Sequence, residues 1–208
     1  ATPDTRYLAL SPGAFQQLGS QALRIDYSSD LQDRNQAVDY LVITPSELAV
    51  EAQRLADYRQ GQGLQAKVVL LTDIYDEFNH GMAHPEAVRD FLSYAYHMWS
   101  KAPRYVVRCG DGTLDYRNIL GYDENFSSPR LVATPYGLFA SENILADVDG
   151  SDDHVPDMAM GRLPADSAAD LGTMIDKIMV YESSQGPWRN RVLMTADNPD
   201  TGGNFHAS

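Results

Sequence analysis

Three short apolar runs, separated by stretches of helical periodicity, constrain this chain most. They are "YLVIT" (Tyr40–Thr44), "AKVVLLT" (Ala66–Thr72) and "RYVVRC" (Arg104–Cys109). Continuous apolar runs of this length suit strands buried on both faces, as in a parallel sheet covered by helices. Between the first two, "PSELAVEAQRLADYRQGQG" places Leu48, Ala52, Leu55 and Tyr58 at helical spacing, with Ser46 as the expected cap and Gly61 and Gly63 as the stop. "DIYDEFNHG" predicts a short helical turn. "HPEAVRDFLSYAYHMWS" predicts a longer helix, with Pro85 in its first turn and a face of Val88, Leu92, Ala95 and Trp99 flanked by Phe91. Further on come a strand at "DMAM", a helix from about Ser167 to Glu182 on the stripe Leu171, Met174, Ile175, Ile178 and Tyr181, and a strand "RVLMTA" (Arg191–Ala196). This alternation predicts an α/β fold with a mainly parallel sheet and flanking helices. Residues 1–37 lack such periodicity and read as an N-terminal arm.

In sheets of this kind, sites form outside the C-terminal ends of the strands. "TDIYDEF", "GDGTLD" and "ADNPD" are the turns expected there. The Gly-Asp-Gly turn after Cys109 lacks the GxGxxG spacing, and no GxxxxGK[ST] occurs, so a nucleotide site has no support. Cys109 sits inside an apolar strand, where a cysteine behaves as a small hydrophobe with a raised pKa. No GxSxG elbow occurs, and the histidines form neither HExxH nor a close HxH pair, which leaves serine-hydrolase and zinc chemistry unsupported.

The formal net charge of −13 disfavours nucleic acid and anionic lipid, whose phosphates need clustered Lys and Arg. No apolar run is long enough to span a bilayer, and the first residues carry no signal-peptide pattern. A lone cysteine makes no internal disulfide and leaves the redox compartment open. The negative charge is densest in "DVDGSDDHVPD", where Asp147, Asp149, Asp152 and Asp153 offer hard oxygen donors. The spacing is not that of an EF-hand. Aspartates so close together repel one another, which favours either a cation or full solvation. His154 beside them could ligate a metal or act as a base, or be a plain loop histidine.

Several segments in order resemble the gingipain-type cysteine peptidase family, a caspase-like group. "DYLVITPSELAVEAQRLADYRQGQGLQAKVVLLTDIYDEFNHGMAHPEAVRDFLSYAY" is similar to the front of its catalytic domain. "RYVVRCGDGTLDYRN" is similar to its "Y-V-L-L-V-G-D" strand and turn, and "ADVDGSDDHVPDMAMGRLPADSAADLGTMIDKIMVYE" to its "P-D-x-x-x-G-R-L-P-A" segment. The resemblance implies a caspase-like arrangement of two α/β subdomains, here residues 38–146 as the first and 147–208 as the beginning of the second. It further implies a secreted or cell-surface endopeptidase acting on protein or peptide substrates. Its catalytic His, in a His-Gly turn, and its Cys would follow strands that this chain does not contain. The chain alone is therefore expected to be inactive, with a non-catalytic, calcium-dependent binding or surface module as the alternative. A metal-dependent hydrolase built on His154 ranks last.

By the same resemblance Asp157 matches the acidic side chain that orients the catalytic histidine. Asp170 is the candidate partner for a basic substrate side chain, or Asp166 under a shifted alignment. Calcium becomes a candidate ligand of Asp147, Asp149 and Asp152, although the chemistry itself requires no cofactor. A hydrophobic strand at residues 191–196 without its later partners is expected to self-associate, or to pack onto the first sheet.

Overall fold

The computed structural model describes residues 29–195 except 114, 116–118, 122–125 and 152. Four parallel strands form its centre: β1 (Tyr40–Thr44), β2 (Ala66–Leu70), β3 (Tyr105–Cys109) and β6 (Ala159–Leu163), in the order β2-β1-β3-β6. The helices are α1 (Ala49–Gly61), α2 (Leu71–Asn79), α3 (Pro85–Met98), the short α4 (Asn143–Ala146) and α5 (Ala168–Ser183). A separate antiparallel hairpin, β4 (Leu131–Thr134) and β5 (Gly137–Ala140), precedes α4.

Period-two alternation along the strands divides the apolar side chains between two layers. Leu41, Ile43, Val69 and Val106 meet α2, α3 and α4 on one face, where Ile74, Phe91, Leu92 and Leu145 are fully buried. Val42, Val107 and Cys109 meet α1 and α5 on the other, through Leu55, Leu171 and Ile175. Sheet order reverses direction between β1 and β3, so the crevice expected of a doubly wound sheet opens over Pro45 and Gly110. Gly110 takes φ +103, and a Cβ there would stand 2.8 Å from Phe126 Cβ, so the turn after β3 admits glycine alone.

Local chemistry explains most boundaries. His84 Nδ1 accepts the Glu86 N–H at the start of α3, with Pro85 in the first turn. Ser167 Oγ accepts the Asp170 N–H and opens α5. Two expectations need correction. Ser46 does not cap α1: a 3-10 turn at Ser46–Leu48 intervenes, and its hydroxyl donates to Glu47 instead. Leu71 and Thr72 begin α2 rather than ending β2.

Beyond residue 147, β6 pairs with β3 over Ala159–Leu163 and α5 packs beside α1. The end of the arm joins the core as well: Leu31 is buried, and its carbonyl accepts the Trp99 indole N–H at 2.9 Å. Residues 191–195 form no strand and do not pack on the sheet, leaving Val192, Leu193 and Met194 86–89% exposed.

Candidate functional site

The acidic loop lies where β6 begins. Ala146 ends α4, and its carbonyl accepts the Asp157 N–H at 2.8 Å, closing the loop 147–157 at its base. Asp157 Oδ2 then accepts the N–H groups of Val148 and Asp149 at 2.8 and 2.9 Å. Arg89 of α3 donates to the Asp147 carbonyl at 2.9 Å, and His97 Nε2 lies 3.0 Å from the Val148 carbonyl. Asp147, Asp149 and Asp157 each bring one carboxylate oxygen within 4.8 Å of the others. The Ser151 N–H and side chain hold the Asp149 carboxyl below the usual carboxylate range. Asp147 is the buried member, its side chain 8% exposed, with His154 Nδ1 3.9 Å from its Oδ2. Asp152, expected in this set, lies outside the described residues.

A second charged cluster occupies the other end of β6. Arg108 of β3 and Arg162 of β6 are register partners. Both reach Glu142, just before α4: Arg108 Nη1 to Oε2 at 2.9 Å and Arg162 Nε to Oε1 at 2.7 Å. Arg108 Nη2 also donates to Ser127 Oγ and the Ser128 carbonyl, and Arg162 Nη1 to the Gly110 and Ser127 carbonyls. Arg108 is fully buried, and loss of solvation pulls its pKa below the ordinary guanidinium value. The sequence reading missed this cluster. Its signal was a charge inside an apolar run expected to be covered on both faces, which demands a counter-charge from elsewhere.

Cys109 follows Arg108 and points into the opposite layer, where burial pushes its thiol up to about 12. No thiolate forms there near neutrality, so Cys109 is a core residue.

The model of peptidase family C25 matches residues 33–208. The chain belongs to peptidase family C25. Solved structures of gingipain type share its fold. A dimeric latent PorU from Porphyromonas gingivalis superposes with a TM-score of 0.60 and 22% identity, over 76% of this chain and 17% of that one. The complex of the pro- and mature domains of RgpB from Porphyromonas gingivalis gives 0.53 and 21%, over 69% and 29%. The Arg-specific cysteine proteinase gingipain R gives 0.53 and 20%, over 72% and 29%. The chain thus spans less than a third of the length of these relatives. No curated protein matches it.

Within this C25 fold, the residues singled out from sequence fall at different places. Asp157 stands before β6, at the edge opposite the crevice over Gly110. Asp170 stands beyond the far end of β6, exposed, with Oδ2 2.6 Å from Ser167 Oγ in the first turn of α5. β6 alone separates them by about 16 Å, at roughly 3.3 Å per strand residue. Asp147 and Asp149 do come together, joined by Asp157.

Proposed function

We propose that this chain is the first α/β portion of a gingipain-like cysteine endopeptidase, a scaffold rather than a reaction centre. The observation that carries this reading is the C25 match over residues 33–208 on a gingipain-type fold whose one cysteine is inert. In the complete enzyme a thiolate would add to the scissile carbonyl, the imidazolium would protonate the departing amine, and backbone N–H groups would hold the oxyanion. This chain would supply the sheet against which that machinery is positioned. Exposed Val180, Tyr181 and Trp188 on and after α5, continued by Val192–Met194, support a further portion of the enzyme docking there. Self-association through residues 191–196 is the other way to cover the same surface. A secreted or cell-surface location goes with this family reading, and no helix among the described residues is long and apolar enough to cross a membrane.

The test is hydrolysis of fluorogenic peptides with arginine or lysine before the scissile bond. The chain alone should show none. Co-expression with the coding region that follows Ser208 should give hydrolysis abolished by alkylation of a cysteine outside this chain. Activity of the chain alone, or a following region without a histidine and a cysteine, would sink the proposal.

A second reading is favoured by the three carboxylates of the acidic loop. They suit a calcium ion, a hard cation that takes oxygen donors from flexible loops. For Asp157 the geometry supports holding this loop over orienting a histidine. Calorimetric titration with calcium should give one site, lost in Asp149→Asn. No heat above dilution would remove this reading.

A further inference from the structure

We propose that residues 184–191 form a folded joint, closed by Trp188 and Arg189 on Tyr181, that couples α5 rigidly to the chain that follows. The stretch Ser-Gln-Gly-Pro-Trp-Arg-Asn-Arg opens like a linker, with small and polar residues and a Gly-Pro pair that signals a turn. The structure folds it back on the helix instead. Ser184 ends α5, its N–H donating to the Val180 carbonyl at 3.0 Å and its hydroxyl to the Tyr181 carbonyl at 2.7 Å. Pro187–Asn190 then make a 3-10 turn, and the Arg191 N–H reaches the Trp188 carbonyl at 3.1 Å. This turn carries Trp188 and Arg189 back to Tyr181. The two aromatic ring centroids lie 5.4 Å apart, and the Arg189 guanidinium carbon is 4.8 Å from the Tyr181 centroid and 5.9 Å from that of Trp188. Arg189 Nη1 also donates to the Ser184 carbonyl at 2.9 Å, where a cation suits the C-terminal end of a helix. Gly186 lets the loop close this tightly. A Cβ there would stand 2.5 Å from Trp188 Nε1 and 2.6 Å from Cδ1, so any side chain pushes the indole away.

A joint transmits orientation only if the helix behind it is fixed. Glu182, next to Tyr181, accepts Arg59 Nη1 and Nη2 at 2.8 and 2.9 Å, and the Tyr58 hydroxyl and Gln62 Nε2 at 3.0 Å each. Earlier in the helix, Arg54 reaches the Gly172 carbonyl at 2.8 Å and the Asp176 carboxylate. α5 is thereby tied to α1 along both of its halves, and Arg59 lies over the ring of Tyr40 in β1 at 5.2 Å. Adjacent residues at the end of α5 therefore face opposite ways, Glu182 to α1 and Tyr181 to the joint. Ring stacking and an arginine over an aromatic face are each weak at an exposed site. Here they act together with the main-chain bonds of the turn. Past Arg191 the chain stands free of this cap, with Val192, Leu193 and Met194 exposed. The joint is read on this chain alone and does not depend on the peptidase reading. Within that reading it holds the following portion in one orientation against the sheet, the condition under which groups on two portions can react.

The experiment is backbone nitrogen-15 relaxation by NMR on the intact chain, which reads fast motion residue by residue. Amides from Ser184 to Arg191 should show order parameters near those of α5, about 0.85, and values from residue 192 on should fall below about 0.6. Gly186→Val should release Gln185 to Arg191 to the mobility of residues 192–195 and leave α5 and the sheet as they are. Tyr181→Ala should do the same, whereas Tyr181→Phe, which keeps the ring, should keep the joint closed. Should Gly186→Val fail to fold, Tyr181→Ala carries the readout. A wild-type segment already as mobile as residues 192–195, or rigidity that survives in both opening variants, overturns the proposal. Rigidity lost throughout α5 in those variants also overturns it, because the segment would then be part of the helix packing and not a joint.

Discussion

The two charged clusters at the ends of β6 treat their charges in opposite ways. Around Arg108 and Arg162, one buried and one partly buried cation share Glu142, and further guanidinium N–H groups go to Ser127, Ser128 and Gly110. The protein answers nearly all of that charge itself, tying β3, β6, the residue before α4 and the 127–128 loop into one unit. Around Asp147, like charges are held together by backbone N–H groups that serve Asp149 and Asp157. A cluster whose charges are met from within stabilises the fold. A cluster that gathers one sign of charge without an internal counter-charge leaves that charge to solvent or to a cation.

This contrast can be broken most forcefully at Glu142. Its replacement by alanine leaves the buried Arg108 guanidinium and the partly buried one of Arg162 without their anion and should cost about 3–5 kcal/mol, read from the urea midpoint. A loss below about 1 kcal/mol would show that solvent reaches the arginines and that the cluster is not internally closed.

At the other cluster, Asp157→Ala removes the acceptor of two backbone N–H groups and should cost about 1–3 kcal/mol. The Val148 and Asp149 amides should lose hydrogen-exchange protection while those of β1 and β3 keep theirs. Protection lost throughout would mean that the loop is part of the global core.

A smaller effect sharpens the comparison by pH. Arg59 holds Glu182 down to about 2, through an ion pair at 2.8 Å that joins α1 to α5. Because the folded value lies below the unfolded one, this contribution is present above about pH 4.5 and is lost as pH falls toward 2. Wild type should therefore lose about 1 kcal/mol more than Glu182→Gln between pH 6 and pH 3. Parallel acid profiles would place the pair among surface contacts of no consequence. The smallest expected signal is at Cys109, where a thiol reagent should react only as fast as the protein unfolds. Immediate labelling would open the α1–α5 layer to solvent.

The elements that were legible in sequence share one property: their signal is local. The span of β1 follows from "YLVIT" read alone, and α5 from one stripe of apolar residues starting at a serine that caps it. The hairpin β4–β5 escaped because β5 is exposed, β4 only half-buried and neither carries a buried alternation, and α4 because four residues give no period. The expected strand at residues 191–196 has the composition of a strand, yet residues 191–195 take no partner in the sheet. Composition makes a strand possible, and a neighbouring edge makes it form.

From the sequence by itself came the α/β class, the positions of the central strands and longer helices, the family resemblance and the concentration of aspartates after residue 146. Each of these is written in runs of neighbouring residues, where backbone propensity and one-sided burial act. Only the tertiary structure decided that β6 closes on β3, that Glu142 meets arginines 34 and 20 residues away, and that Asp157 rather than a more distant residue staples the acidic loop. Those contacts depend on the order in which strands lie side by side. That order is set by how the helices cover both faces of the sheet together, and no single stretch of the chain encodes it.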